Sequence, residues 1–324
     1  MLAVFPASGG LGSSIVSHLL ALSPQPSSSL LFVSRNPDKL TAAKGKGVTL
    51  RQADYDQPET LEGVFAGAET LCLISYPSIQ IEHRFESHKR AIEAARRSGV
   101  KHVIYTSLAF AGGPESTESV AQVMQAHLRT EQYLRELQEQ DDSFTFTIVR
   151  EGLYSESFPI YTAFYSPSSP SRTIRIPHAP AGAGRGIAWV KRDELGEATA
   201  RILLSLASAT SSSEWKNRTV VLSGAREWSL AETAQLLGRL SSPPQPDLRV
   251  ERVSVEEYAA QAQVQEGFAV YPGDDGGRYW AEKWANAWEA IERGETGVVT
   301  TTMREVLGRE PEDFEETLKE MLAT

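Results

Sequence analysis

The chain of 324 residues contains a single cysteine, Cys72, so no internal disulfide can form, and a reducing compartment is expected. Cys72 lies in the apolar stretch 70–75, where a buried structural thiol is expected rather than a nucleophile. Long hydrophobic runs are missing: none is long enough to span a bilayer. The first residues enter an apolar strand at once, with no basic leader ahead of it. A cytoplasmic chain with no membrane partner is therefore expected. Metal-ligand spacing is absent around His83, His88 and His102, so no metal is expected. Ser107 lacks the flanking glycines of a nucleophile elbow, which argues against a serine hydrolase. Positive charge is in short supply, with 32 Lys and Arg against 42 Asp and Glu and a net charge of −10. Such a surface repels polyphosphate, so nucleic acid is not an expected partner.

What the chain does have begins at Val4. Residues 4–12 read V-F-P-A-S-G-G-L-G, between a first apolar run and a helical pattern. A strand, a Gly-rich turn and a helix start aim backbone N–H groups and the positive end of a helix dipole at a phosphate. This is the dinucleotide-binding fingerprint, with Pro6 where the first glycine belongs. Ser8, Gly9, Gly10, Leu11 and Gly12 are the candidate contacts. Gly9 permits close approach of the backbone to a diphosphate, and Gly12 permits close packing of helix on sheet. A tight turn without a ligand is the plainer reading of the same residues.

Downstream, apolar runs alternate with helical spacing. Strands are expected at 2–5, 30–34, 48–52, 70–75, 102–106 and 144–150. Helices are expected at 13–22, from 36 onward, and at 58–65, 85–98 and 120–139. Alternation of this kind builds a Rossmann-type, doubly wound parallel α/β sheet. After Arg150 the texture changes, and residues 159–186 are rich in Ser, Pro, Gly and Ala. A helix at 191–207, a strand at 218–222, a capped helix opened by Ser229 and Glu232, and a strand at 249–253 follow. Gly273–Gly277 (G-D-D-G-G) reads as a break. Residues 279–293 read as one amphipathic helix carrying Trp280, Trp284 and Trp288 on a packing face. The expected organisation is a cofactor domain at 1–150, with 187–225 returning to it. A smaller, discontinuous α/β substrate domain is expected from 151–186 and 226–324.

The end of the second strand, Ser34-Arg35-Asn36, bears on cofactor choice. A carboxylate there suits the ribose 2′-OH of NAD, whereas a basic residue suits a 2′-phosphate. Arg35 offers a bidentate fork, and Lys39 adds a second charge one helical turn on. Two solvated surface charges is the alternative. Asp54 and Tyr55, after the third strand, either line an adenine or form a strand-end turn.

Longer strings now become informative. F-P-A-S-G-G-L-G, F-V-S-R-N-P-D-K, Q-A-D-Y-D, L-I-S-Y, A-I-E-A-A-R-R-S-G-V-K-H-V-I-Y-T-S-L and I-V-R-E-G-L-Y-S-E-S-F occur in that order. Nearly the whole chain resembles the NmrA-like family of atypical short-chain dehydrogenases. Within it, the chain is most similar to the type 2 NADPH-dependent quinone oxidoreductases. The resemblance implies NADP(H) over residues 9–12, with Ile74, Ser75 and Tyr76 along its path and Thr106 and Ser107 at the sheet's ligand-bearing edge. The nicotinamide would lie towards 150–154, and a small aromatic or quinone-like substrate would enter beside it.

The chain departs from ordinary short-chain dehydrogenases, which pair a Tyr with a Lys four residues later. Val123 and His127 stand at those positions. His127, followed by Thr130 and Glu131, resembles the quinone oxidoreductase branch. It either donates a proton and orients substrate, or packs on its helix. Glu151 is either an acid/base group facing the nicotinamide or a surface carboxylate. Tyr154 is either a substrate contact or a packing residue. Phe158, Tyr161, Phe164 and Tyr165 are candidates for a wall around a flat substrate, or form an ordinary hydrophobic lip. The resemblance implies NADPH-dependent reduction of a quinone or related conjugated carbonyl by a monomer or homodimer. A dinucleotide-sensing regulator without turnover and a non-redox isomerase or cyclase are the competing expectations.

Overall fold

The computed structural model describes residues 1–179, 182–207, 214–271 and 277–323. The first half lays down β1 (Leu2–Phe5), α1 (Gly10–Leu22), β2 (Leu30–Ser34), β3 (Thr49–Gln52), β4 (Thr70–Ile74), α2 (Ile81–Arg97), β5 (His102–Leu108), α3 (Gln122–Gln140) and β6 (Thr145–Glu151). The second half holds α4 (Phe158–Tyr161), β7 (Thr173–Ile176), α5 (Arg192–Leu206), β8 (Arg218–Leu222), α6 (Leu230–Leu240) and β9 (Arg249–Arg252). Six short helices complete it: α7 (Val255–Ala259), α8 (Ala262–Phe268), α9 (Arg278–Trp284), α10 (Asn286–Glu292), α11 (Thr302–Leu307) and α12 (Phe314–Ala323).

Seven strands form one parallel sheet in the order β3-β2-β1-β4-β5-β6-β8. Both faces are covered, which is why the central strands read as continuous apolar runs. On one face Val4, Phe32, Cys72 and Val149 meet Ile15 and Leu19 of α1 and Leu195 and Ile202 of α5. On the other, Phe5, Val33, Tyr105 and Ile148 meet Ala91 of α2 and Leu134 of α3. The chain order reverses between β1 and β4. A parallel sheet opens a crevice there, at the carboxyl ends of its strands.

A further core gathers Tyr161, Trp189, Trp228, Tyr258, Trp288 and Phe314 around the two-stranded parallel pair β7-β9. Strand β7 was not expected, because its four residues lie inside the Ser/Pro/Gly-rich stretch. The expected helix from 36 is two short 3-10 turns, Pro37–Lys39 and Thr41–Ala43, and that at 58 is a single one, Pro58–Leu61. Helix α2 starts at Ile81, four residues early. The tryptophan helix is divided into α9 and α10 at Ala285, which lets Trp288 bury fully while Trp284 and Trp280 pack at the rim. Of the expected glycine break, only Gly277 lies within the described residues. Among those residues, no helix is long and apolar enough to cross a membrane, and no acidic, His or Cys cluster fits a metal.

Candidate functional site

Gly9 precedes α1 with extended backbone, and its own side-chain direction faces open space. The N–H groups of the first turn therefore have room for an anion. A Cβ on Gly12 would collide with the carbonyl oxygen of Pro6, so close helix–strand contact requires glycine there. The Phe5–Pro6 bond is cis. Ser8 bonds Ser34 through their hydroxyls, tying the turn to the end of β2. Gly10 is covered from outside by Arg192 at the start of α5, whose Nη1 lies 3.0 Å from where a Gly10 Cβ would stand. Leu11 is buried and anchors the helix start.

The ends of β1, β2 and β3 enclose one cleft. Ser8, Arg35, Lys39, Asp54, Tyr55 and Tyr76 all line it. Arg35 is 75% exposed, and among the described residues its one ionic contact is Asp54 at 4.0 Å, which leaves most of its fork open. Tyr55 is sunk beneath the cleft: its ring packs at a tilt against Phe5, centroids 4.6 Å apart, and its hydroxyl donates to the carbonyl of Ile74 at 2.8 Å. Tyr76 donates to Asp56 at 2.8 Å, and partial burial with that carboxylate pushes its phenol up to about 12.

Beyond β4 the cleft meets a polar network. Ser75 N–H donates to Thr106 Oγ1 at 3.2 Å. Ser75 Oγ accepts two bonds from Arg84, at 3.1 and 2.7 Å, and lies 3.1 Å from His88 Nε2. His88 Nδ1 faces Thr130 Oγ1 at 2.9 Å, and His127 Nδ1 faces the Tyr105 hydroxyl at 2.9 Å. Burial first, and the Arg84 charge second, push both imidazoles well below their ordinary range, so both rings are neutral. Burial raises Tyr105 to about 12.

Ser107 turns the other way and donates to Glu131 at 2.6 Å. Glu131 pairs with Arg150 through bonds of 3.0 and 2.8 Å, all within the protein interior. This pair locks α3 to β6, and Arg150 also caps the carbonyls of Gly113 and Ser116. The surface-carboxylate reading of Glu151 does not hold. It is 1% exposed, accepts from Thr199 of α5 at 2.8 Å, and leaves Oε2 without a partner among the described residues. Burial raises its carboxyl to about 8. Tyr154 is partly buried, and desolvation lifts its phenol above the ordinary range. It feels Arg192 and Arg84 together.

Phe158, Tyr161 and Tyr165 are buried in the core rather than spread along an open wall. Tyr161 packs against Trp189, Trp284 and Phe110, and Tyr165 donates to Gln245 at 3.1 Å. Phe164 is the more exposed of the four, with φ 54° and its ring edge-on to Phe268. Together with Tyr165 it lines a separate surface cleft reaching Arg175 and Gln261. Sequence reading passed over Arg84, Arg192 and Thr199. For Arg84 a signal existed: it precedes His88 by one helical turn, so the two share the face of α2 turned to β4.

Known proteins share this sequence pattern and fold. The chain is 29% identical over 321 residues to the NmrA-like family domain-containing oxidoreductase flvB of Aspergillus flavus, covering 98% of this chain and 93% of that one. It is 29% identical over 260 residues to quinone oxidoreductase 2 of Escherichia coli, covering 80% of each. The solved structure of Citrobacter sp. triphenylmethane reductase complexed with NADP(H) superposes with a TM-score of 0.75 at 28% identity, covering 99% of both chains. The NmrA-like family model matches residues 1–236. The protein belongs to the NmrA-like family.

Proposed function

We propose that the protein binds NADP(H) along the carboxyl edge of the sheet and reduces a quinone or related conjugated carbonyl. One observation carries the cofactor half: Arg35 and Lys39 share a cleft with Ser8 at the start of α1, and the Arg35 fork is open. A helix N-terminus with space around Gly9 suits a diphosphate, and a free guanidinium at the end of β2 suits a 2′-phosphate. The residues present therefore fit NADP(H). The names of the relatives, two oxidoreductases and an NADP(H)-bound reductase, support the redox half.

When bound, NADPH supplies a hydride. The chain itself supplies position. Its phosphate turn and Arg35 hold one end, while Ser75, Thr106 and Tyr154 border the other. Tyr154 keeps its proton at neutral pH and can hydrogen-bond a substrate carbonyl. His127 acts through Tyr105, fixing the wall behind that site rather than entering it. Val123 and His127 replace the Tyr/Lys pair, so orientation and proximity carry most of the rate, which suits readily reduced quinones. In this reading 1–150 with 187–225 carries the cofactor, and 151–186 with 226–324 covers the acceptor. The expected setting is cytoplasmic, as a monomer or homodimer without nucleic acid.

The test joins binding to turnover. Calorimetry with NADPH and NADH on wild type and Arg35→Ala is followed by NADPH oxidation with a panel of quinones. Tight NADPH binding with quinone turnover is expected. Tight binding with no turnover would favour a redox-sensing regulator, and no binding would favour non-redox chemistry.

A further inference from the structure

Arginines on this acidic chain commonly meet a carboxylate: Arg97 reaches Glu62, Arg129 reaches Glu82 and Arg150 reaches Glu131. Arg84, in the first turn of α2, does not. Its Nε and Nη2 both donate to one neutral acceptor, Ser75 Oγ, at 3.1 and 2.7 Å. No carboxylate among the described residues stands within ion-pair distance, and Nη1 has no protein acceptor there. The groups that feel its charge are the phenols of Tyr55, Tyr105, Tyr154 and Tyr271 and the neutral rings of His88 and His127.

A guanidinium drawn partly out of water is costly unless it is paired. The Ser75 hydroxyl supplies hydrogen bonds but no compensating charge. The fork is nonetheless fixed in direction by its two bonds to that single oxygen, so it is pre-oriented rather than free to swing. It is held past the end of β4 by Ser75, and its charge is felt by Tyr154 and Tyr271, which come from segments following β6. At the phosphate turn Gly9 faces open space, and it is Arg192 that covers Gly10. Arg84 is thus a held, uncompensated cation on the acceptor side of the cleft.

We propose that Arg84 is a specificity-determining residue that receives a negatively charged oxygen of the acceptor. It therefore selects flat conjugated carbonyl compounds bearing an ionised enolic or phenolic oxygen, such as hydroxyquinones. The inference rests on the reductase reading. In that reaction NADPH gives the quinone a hydride, two electrons and one proton, and becomes NADP+. The quinone becomes a hydroquinone monoanion, and solvent supplies the second proton. The charge that Arg84 meets in an ionised acceptor is of the same kind as the charge left on this product oxygen.

The test uses Arg84→Met and Arg84→Lys in the full chain. Two probes are titrated in the presence of NADP+ by quenching of tryptophan fluorescence: 2-hydroxy-1,4-naphthoquinone, an anion at neutral pH, and the neutral 2-methyl-1,4-naphthoquinone. NADPH affinity is measured separately by calorimetry. Arg84→Met is expected to weaken the anion at least ~10-fold, as loss of a charge-assisted hydrogen bond does. The neutral probe and NADPH should change by less than about twofold, well inside that margin. Arg84→Lys, which keeps the charge but loses the fork, should fall between. Equal weakening of both probes, an unchanged anion affinity or a loss of NADPH affinity would each overturn the proposal, the last by assigning Arg84 to the cofactor. If wild type binds NADPH yet reduces no quinone, the reductase reading fails, while the contrast between the two probes remains readable as binding.

Discussion

Glu151→Gln should make the protein more stable in alkali and leave it nearly unchanged in mild acid. The Glu151 carboxyl is sealed between β6 and α5, with Thr199 on one oxygen and nothing on the other. Desolvation dominates, so the folded chain holds this proton up to about pH 8, against 4.5 for an ordinary glutamate. The unfolded chain releases its proton near 4.5. Between those two values the folded state binds more protons than the unfolded state, so stability falls as pH rises. Above about pH 8 the loss is complete. At 1.36 kcal/mol per decade, the full loss is roughly 5 kcal/mol, and about 3 kcal/mol of it is already incurred at pH 7.

Glutamine keeps the shape and the Thr199 bond but never ionises, so it escapes this loss. The depressed histidines, His88, His102 and His127, act in the opposite sense: their stabilisation is lost as pH falls through their folded values. They are common to both proteins and cancel in the difference. Urea unfolding of both chains without cofactor at pH 5, 7 and 8.5 measures that difference directly. Parallel pH profiles would refute the reasoning, because they would mean the buried carboxyl titrates alike in folded and unfolded chains.

Two further substitutions test the frame around the site. Gly12→Ala drives a methyl into the Pro6 carbonyl. It should cost about 1–3 kcal/mol by overpacking and abolish calorimetric NADPH binding; an unaltered melt with intact binding would contradict the assigned close contact. Arg150→Met leaves the buried Glu131 with only the more distant Arg135, at 3.6 Å, and should cost up to about 3–5 kcal/mol in urea unfolding. Replacing Glu131 by Leu in the same chain should recover much of that loss, and two additive losses would show that the pair is not coupled.

Much of the fold was legible because a parallel sheet covered on both faces leaves uninterrupted apolar strands, as at 30–34 and 70–74. Strand β7 was hidden because its partner, β9, lies over seventy residues away and its own surroundings are loop-forming. Pro37 and Pro58 suit a first helical turn, but the chain leaves helical geometry after 3-10 turns in both places. Ser8, Arg35 and Asp54 were singled out by where the strands stop and Tyr76 by the resemblance, and the structure brings the four to one cleft. Burial was not. Nothing local marks Glu151 as enclosed, since α5, which encloses it, comes some forty residues later. Arg192 likewise reaches Gly10 only because α5 packs on α1, with Gly196 set close against Ser14. Tyr161 and Tyr165 read as a lip because their core partners, Trp284 and Gln245, lie far along the chain.

In the proposed reading Arg35 holds a phosphate-bearing dinucleotide over the first turn of α1. Calorimetric titration of wild type and Arg35→Ala with NADPH and NADH tests it most directly. Wild type should prefer NADPH, and Arg35→Ala should lose about 10- to 100-fold in NADPH affinity while its NADH affinity stays unchanged, as removal of a charged contact to the 2′-phosphate alone requires. Equal affinity for the two nucleotides, unaltered by the substitution, would contradict the account.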